Sequence, residues 1–228
     1  MQTILNKSFM KKTILSIAAL VLFTAACKKA EETPAADATT AADTTAVKTE
    51  TAEAAKPMDS AAMMKAWEAY ATPGEAHKML AADNGNWEAE STMYMSANDP
   101  KPMKTKMTAS TKMVMGGRYQ ESRYSGNMMG QPFEGVSTVA YDNASKKYVS
   151  TWIDNMGTGV MYLTGDYDTA TKTMNMSGEC TDPMSGQKKK MRETFAIVDD
   201  NTRKMEMFDT DPSGNEYKSM EIVMTRKK

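Results

Sequence analysis

The sequence predicts a mainly β fold: an antiparallel up-and-down β-barrel of about ten strands, preceded by one or two short helices. Three observations lead to it. From Trp87 onward, runs of strand-forming residues are separated by clusters of turn residues. Several of these runs alternate apolar and polar residues, so each strand has one wet face. The connections are short, which makes neighbours antiparallel, and closing such a meander removes its exposed edges.

The first 26 residues read as an export signal. Lys11-Lys12 supplies a basic start, Thr13 to Phe23 an apolar run, and Ala25-Ala26 the small residues at a cleavage site. The apolar run is shorter than the roughly 20 residues that span a bilayer. Met10-Lys11-Lys12 offers a second start of the same kind. Cys27 follows the cleavage site directly, which points to a lipoprotein acylated on that thiol, although Thr24 stands where a lipobox usually has Leu; an ordinary secretory signal is the alternative. Acyl chains contribute about 0.8 kcal/mol per buried methylene, so two or three would hold the protein on membrane lipid. Lys28 rather than Asp after the cysteine resembles lipoproteins sorted to the outer membrane, so the expected location is the cell envelope.

Residues 27–57 are Ala, Thr, Glu, Asp and Lys with little else, and Val47 is their only branched aliphatic. Such a segment cannot offset its ordering entropy, and it reads as a disordered tether of roughly 30 Å root-mean-square span. Residues 58–84 read as helices. Asp59 or Ser60 can cap a first one, with Met63, Trp67 and Tyr70 on one face. Thr72-Pro73-Gly74-Glu75 reads as a capping box for a second, which Asp83-Asn84-Gly85 stops.

Residues 85–228 form the expected barrel. The strands fall at about 87–95, 103–115, 118–124, 133–141, 147–153, 159–165, 171–180, 188–198, 203–209 and 217–226. Asn98-Asp99-Pro100, Gly116-Gly117, Gly130-Gln131-Pro132, Asp142-Asn143, Asp182-Pro183, Asp199-Asp200-Asn201 and Asp211-Pro212-Ser213-Gly214 separate them. Met103, Thr105, Met107, Ala109, Thr111, Met113 and Met115 share one face against Lys104, Lys106 and Lys112. Met220, Ile222 and Met224 repeat the pattern.

Composition excludes several functions. The formal net charge is −1, and it becomes −4 once Lys7, Lys11 and Lys12 leave with the signal, so no basic footprint for nucleic acid exists. With Cys27 acylated, Cys180 has no disulfide partner. No Walker loop, zinc ligand set, nucleophile elbow or dinucleotide fingerprint is present, and neither a cofactor nor a metal is expected. Asp209-x-Asp211-x-Ser213-Gly214 imitates the start of a calcium loop, but Met220 occupies the position that requires Glu.

Methionine is the compositional oddity: 22 of 24 lie after Cys27, where Leu80 and Leu163 are the only leucines. Met93/Met95, Met113/Met115, Met174/Met176 and Met205/Met207 each have strand spacing. Soft thioethers suit Cu(I), which makes a copper-binding or interaction module one reading. An adaptable apolar barrel lining is the preferred one. The acidic candidates Asp142, Asp154, Asp166 and Asp168 sit at strand ends around a Gly-rich loop, and Asp154 and Asn155 are expected at the barrel mouth with Tyr141 and Trp152 nearby. His77, Asp142 and Asp154 are the acid–base candidates of an alternative reading as an envelope enzyme, and turn formation by Asx residues explains the same aspartates.

Thr72-Pro73-Gly74-Glu75-Ala76-His77, Gly85-Asn86-Trp87, Gly116-Gly117-Arg118-Tyr119, Tyr141-Asp142-Asn143, the run Trp152 to Gly159 and Gly165-Asp166-Tyr167-Asp168 occur in that order. Together they resemble the bacterial family called domain of unknown function 1579, over about 71–227. That resemblance implies no established activity. Gly85-Asn86-Trp87 with Arg226 is also similar to calycins, whose first strand opens with Gly-x-Trp and whose late basic residue packs over the tryptophan, so Gly85, Trp87 and Arg226 are expected to be structural. The haem-binding nitrobindin-like members ligate iron through a late histidine. This chain has only His77, ahead of the barrel, and haem is not expected.

The functional expectation is a noncatalytic binder of a small apolar or amphipathic ligand, tethered to membrane lipid through Cys27. Tyr141, Trp152, Asp154, Asn155, Met113 and Met115 are the expected ligand contacts.

Overall fold

The computed structural model describes residues 59–228; the export signal, Cys27 and the tether lie outside them. Two helices, α1 (Ser60–Ala71) and α2 (Glu75–Ala81), come first. Asp59 has extended backbone and accepts the Ala62 N–H at 2.7 Å, which makes it the N-cap of α1. Met63, Trp67 and Tyr70 share a face as the spacing implies, but that face is exposed rather than packed on the barrel. α1 is held by its C-terminal end instead. Arg118 Nε donates to the Ala71 carbonyl, and Asn143 Nδ2 donates to the carbonyls of Tyr70 and Thr72.

The expected capping box is displaced by two residues. Thr72 closes α1, its hydroxyl donating to the Glu68 carbonyl at 2.6 Å. Gly74 is the N-cap of α2, and His77, at the third helical position, accepts the Gly74 N–H on Nδ1 at 3.0 Å. Glycine has no side chain to reach forward, so His77 makes only the returning half of the box.

Ten strands follow: β1 (Gly85–Met93), β2 (Met103–Val114), β3 (Tyr119–Met128), β4 (Gln131–Asp142), β5 (Lys147–Asp154), β6 (Met161–Asp168), β7 (Thr173–Thr181), β8 (Lys188–Asp199), β9 (Thr202–Thr210) and β10 (Glu216–Arg226). Each pairs antiparallel with its sequence neighbours, and β1 pairs β10 to close the barrel. The closing ladder runs from Trp87 opposite Arg226 to Met93 opposite Met220. Inward positions are those that alternation selects. On β2, Met107, Ala109 and Thr111 are buried while Lys104 and Lys106 are exposed.

Gly85 follows α2 directly, so the start of β1 defines a helical end of the barrel. The turns at 115–118, 143–146, 169–172 and 200–201 share that end. The connections at 94–102, 129–130, 155–160, 182–187 and 211–215 form the opposite mouth.

α2 plugs the helical end through a buried polar network. Leu80 points into the barrel and is 2% exposed. Gln120 Nε2 donates to its carbonyl at 2.7 Å, satisfying a helix C-terminal acceptor. Arg203 Nε donates to Asp83 Oδ1 at 2.7 Å in a fully buried ion pair, and its Nη1 donates to the carbonyls of Asp199 and Thr202. Trp87 is 0% exposed and donates its indole N–H to the Asp83 carbonyl at 2.9 Å. Arg226 lies over the Trp87 ring, 4.2 Å from its centroid, and donates to the carbonyls of Asn84 and Ala82. Gly85 permits that approach: its φ is 138°, and a Cβ there would meet Arg226 Nη1 at 2.8 Å.

Breaking a buried pair leaves an uncompensated charge at a cost of about 3–5 kcal/mol, whereas replacing both partners by apolar groups is close to neutral. Arg203→Met and Asp83→Leu are each expected to lower unfolding free energy in urea by about that amount. The double variant is expected to recover much of the loss, which denaturation curves of the three variants measure directly.

Candidate functional site

The barrel interior is not filled. The buried apolar residues form two clusters, one of Trp87, Ala89, Met107, Ala109, Phe133, Ile222 and Met224, the other of Leu80, Tyr148, Leu163, Met174 and Met176. Between them lies a cavity of about 390 Å³, within the range of small-molecule sites. Met93, Met107, Met205, Met207, Met220 and Met224 line it together with Tyr124, Phe133, Trp152, Tyr167 and Phe195. Unbranched thioether side chains can change rotamer around an occupant at low cost.

Trp152 organises the aromatic wall. It stacks on Phe133 at 6.3 Å and meets Tyr124 edge-on at 5.3 Å. Gly135, on the adjacent strand, makes room for it, since a Cβ there would meet the Trp152 ring at 2.5 Å. The indole N–H donates to Asp154 Oδ2 at 2.7 Å, and Asp154 Oδ1 accepts the Met156 N–H at 2.9 Å. Trp152 and Asp154 therefore both line the cavity, Asp154 at its mouth.

Glu193 is the residue that sequence reasoning missed. It lies on β8 with its side chain on the same inward face as Met191, Phe195 and Ile197, opposite Met176 on β7 and Met207 on β9. Burial alone pushes its carboxyl up to about 7, with no hydrogen bond or neighbouring charge contributing. It is half-buried and lines the cavity. Tyr124 is similarly enclosed; burial, then the charges of Glu193 and Asp83, raise its hydroxyl well above the usual value. That hydroxyl donates to the Met224 sulfur at 3.8 Å. Ser91 Oγ, also on the cavity wall, is buried without a hydrogen-bond partner. The signal for Glu193 was one carboxylate breaking an apolar alternation.

Other sequence-predicted residues fall elsewhere. Met113 lies at the helical end of β2, packed against the second apolar cluster and not on the cavity wall. Met115 is past the strand, in a turn at φ 51° and 73% exposed, because β2 ends before the alternation does. Tyr141 packs against Tyr148 and the His77 ring at the plug. Asn155 is a clamp: it exchanges two hydrogen bonds with the Glu134 backbone and donates to the Pro132 carbonyl, fixing the β5–β6 connection.

His77, Asp142 and Asp154 do not converge. Asp142 pairs with Lys147 at the helical end while Asp154 pairs with Gly135 seven residues along β4, a separation of about 23 Å at strand rise. His77 is at the plug, its pKa lowered chiefly by burial, with Arg118 adding to the effect and a Tyr141 backbone hydrogen bond opposing it. Asp142 caps its turn, accepting from the Ala144 and Ser145 N–H groups and the Ser145 hydroxyl. Asp168, Asp182, Asp199 and Asp211 do the same for later turns, each accepting the N–H two residues on. The calcium-loop imitation at Asp209–Gly214 is thus a β-turn, with Asp209 bound to Lys189 at 2.5 Å. Cys180 sits on β7 with its thiol pushed up by burial, away from the thiolate form.

The Glu193 carboxyl is raised above its unfolded value near 4.5, so its burial carries no ionisation penalty below that value, stability falls as the pH rises from there to about 7, and the full loss persists above it. Glu193→Gln is therefore expected to raise the melting temperature at pH 8, by the equivalent of about 1–3 kcal/mol, and to change it little at pH 4.5. Thermal melts of both proteins across that range measure the difference.

A search of curated proteins finds no match. Among solved structures, the crystal structure of Rv2717c from M. tuberculosis is similar with a TM-score of 0.52 at 9% identity, covering 69% of this chain and 100% of that one. A redesigned β-barrel aligns over the same shares at 12% identity with a TM-score of 0.35. At such identity the first likeness shows the fold alone. A family model described as protein of unknown function DUF1579 matches residues 72–226, from the start of the plug to the last strand, and the chain belongs to that family.

Proposed function

We propose that this protein is a noncatalytic binder that holds one small apolar or amphipathic molecule inside its barrel, tethered to membrane lipid of the cell envelope by an acylated Cys27. The observation that carries the binding reading is the cavity of about 390 Å³ walled by methionine and aromatic side chains. A ten-stranded closed sheet is wider than the eight-stranded barrels whose side chains fill the interior, and here one end is sealed by α2 while the other leads to the cavity past Asp154. The candidate acid–base side chains are a turn cap, a helix cap and a partner of Trp152, which supports binding over catalysis.

The neutral apolar dye N-phenyl-1-naphthylamine is expected to bind the full-length protein with a fluorescence rise. Native mass spectrometry of protein purified without detergent exchange is expected to show a bound small molecule. Ser137→Phe, which places a ring on the cavity wall beside Trp152, is expected to weaken dye binding at least about tenfold while a cooperative thermal transition remains. No dye binding and no mass shift would overturn the reading. For the anchor, Cys27→Ser is expected to move the protein from the membrane fraction to the soluble one.

A further inference from the structure

The charges on the cavity wall do not balance. Asp83, Asp154, Glu193 and Arg203 are its ionisable carboxylates and cation. Arg203 is committed to Asp83 and to two backbone carbonyls, so it has no charge to spare for the other acids. Asp154 has each oxygen occupied, one by the Trp152 indole and one by the Met156 amide. At the mouth, Lys189 is paired with Asp209. Glu193 alone has no hydrogen-bond or ion-pair partner among the described residues, although it faces a space large enough for a ligand. An isolated carboxylate in apolar surroundings is costly to keep and is stabilised most by a cation brought to it.

The aromatic walls of the same cavity favour the same charge. Tyr124, Phe133 and Trp152 pack together along one side, and Phe195 lies two residues from Glu193 on the same face of β8. Aromatic faces attract an ammonium, and a desolvated contact of that kind is worth about 2 kcal/mol. A ligand carboxylate would instead meet Glu193 and Asp154 as like charges.

We infer that the cavity selects an apolar molecule carrying one protonated amine, whose ammonium pairs with Glu193 while its hydrocarbon body lies along the methionine and aromatic walls. This rests on the ligand-binding reading above and adds the chemical class of the ligand. An alkylamine, with a pKa like that of lysine, is charged at neutral pH and meets this description, whereas a fatty alcohol or fatty acid of the same length does not.

Octylamine, 1-octanol and octanoate share one chain and differ only in the head group. Each is titrated at pH 7.5 against the full-length protein preloaded with N-phenyl-1-naphthylamine. Octylamine is expected to displace the dye at about tenfold lower concentration than octanol, with octanoate weaker still. In Glu193→Gln the preference for octylamine over octanol is expected to fall about tenfold. The native ranking decides the question even if that variant folds poorly. Octanol or octanoate binding as well as octylamine, octylamine failing to displace bound dye, or an amine preference that survives in Glu193→Gln would overturn this inference and leave the binding reading in place. Absence of dye binding in the native protein would overturn this inference, and if no mass shift is found either, the binding reading as well.

Discussion

The return of β10 to β1 is the constraint on which the rest of the structure depends. Antiparallel pairing between them, from Trp87 opposite Arg226 to Met93 opposite Met220, turns a meander into a cylinder with no free edge. Once closed, alternate residues of every strand face one enclosed volume. The same ladder brings Arg226 over Trp87 and places β1 directly after α2, so closure also sets where the plug lies. The Asp83–Arg203 pair then joins plug to β9 across 120 residues of sequence. A charged pair so deeply buried contributes little net stability against an apolar substitute, but it specifies one seating of α2 because any other leaves a charge unpaired.

A cylinder of this width and a methionine-rich sequence have a joint consequence. Small inward residues such as Ser137, Ser150 and Ala89 leave space that Met205, Met207, Met220 and Met224 do not close. The apolar contacts gather instead on two walls, one around Trp87 and one around Leu80 and Leu163. Rigid aromatic groups, held by Gly135 and by the Asp154 contact, occupy one side of the space, and flexible thioethers occupy much of the rest. That combination keeps the cavity's polar points fixed while its apolar surface adapts. The outer surface follows a separate logic: exposed aspartates close the turns through backbone N–H groups, whose hydrogen bonds hold their carboxyls below the usual range. They serve the fold and lie outside the cavity.

Much of the architecture was legible in the residues. Turn clusters at Gly116-Gly117, Asp142-Asn143 and Asp211–Gly214 delimited the strands to within a few residues, since turn chemistry is local. Inward and outward faces followed from alternation on β2 and β10. Less legible was how far an alternation remains inside the barrel. Met113 and Met115 continue the pattern of Met107, yet β2 ends at Val114 and the barrel's lumen ends before it. The acid–base candidates failed for a related reason. Asp142 and Asp154 each close a strand, but β4 and β5 run in opposite directions and put those two residues at opposite ends of the cylinder. Glu193 was overlooked because a glutamate among lysines and arginine on β8 reads as surface charge until its inward parity is followed.

By itself the sequence determined the local steps: where each strand starts and stops, which face it buries, and that short connections pair neighbours in order. These depend on backbone dihedral preferences and on period-two hydrophobicity, both of which act over a few residues. Only the tertiary structure decided what those faces enclose. The volume left inside, the plugging of one end, the commitment of Arg203 to Asp83, and the isolation of Glu193 on the wall of a partly aromatic cavity all depend on the closure and stagger of ten strands. Residues far apart in the chain share that space because ladder register brings them together, and register belongs to pairs of strands rather than to any one of them.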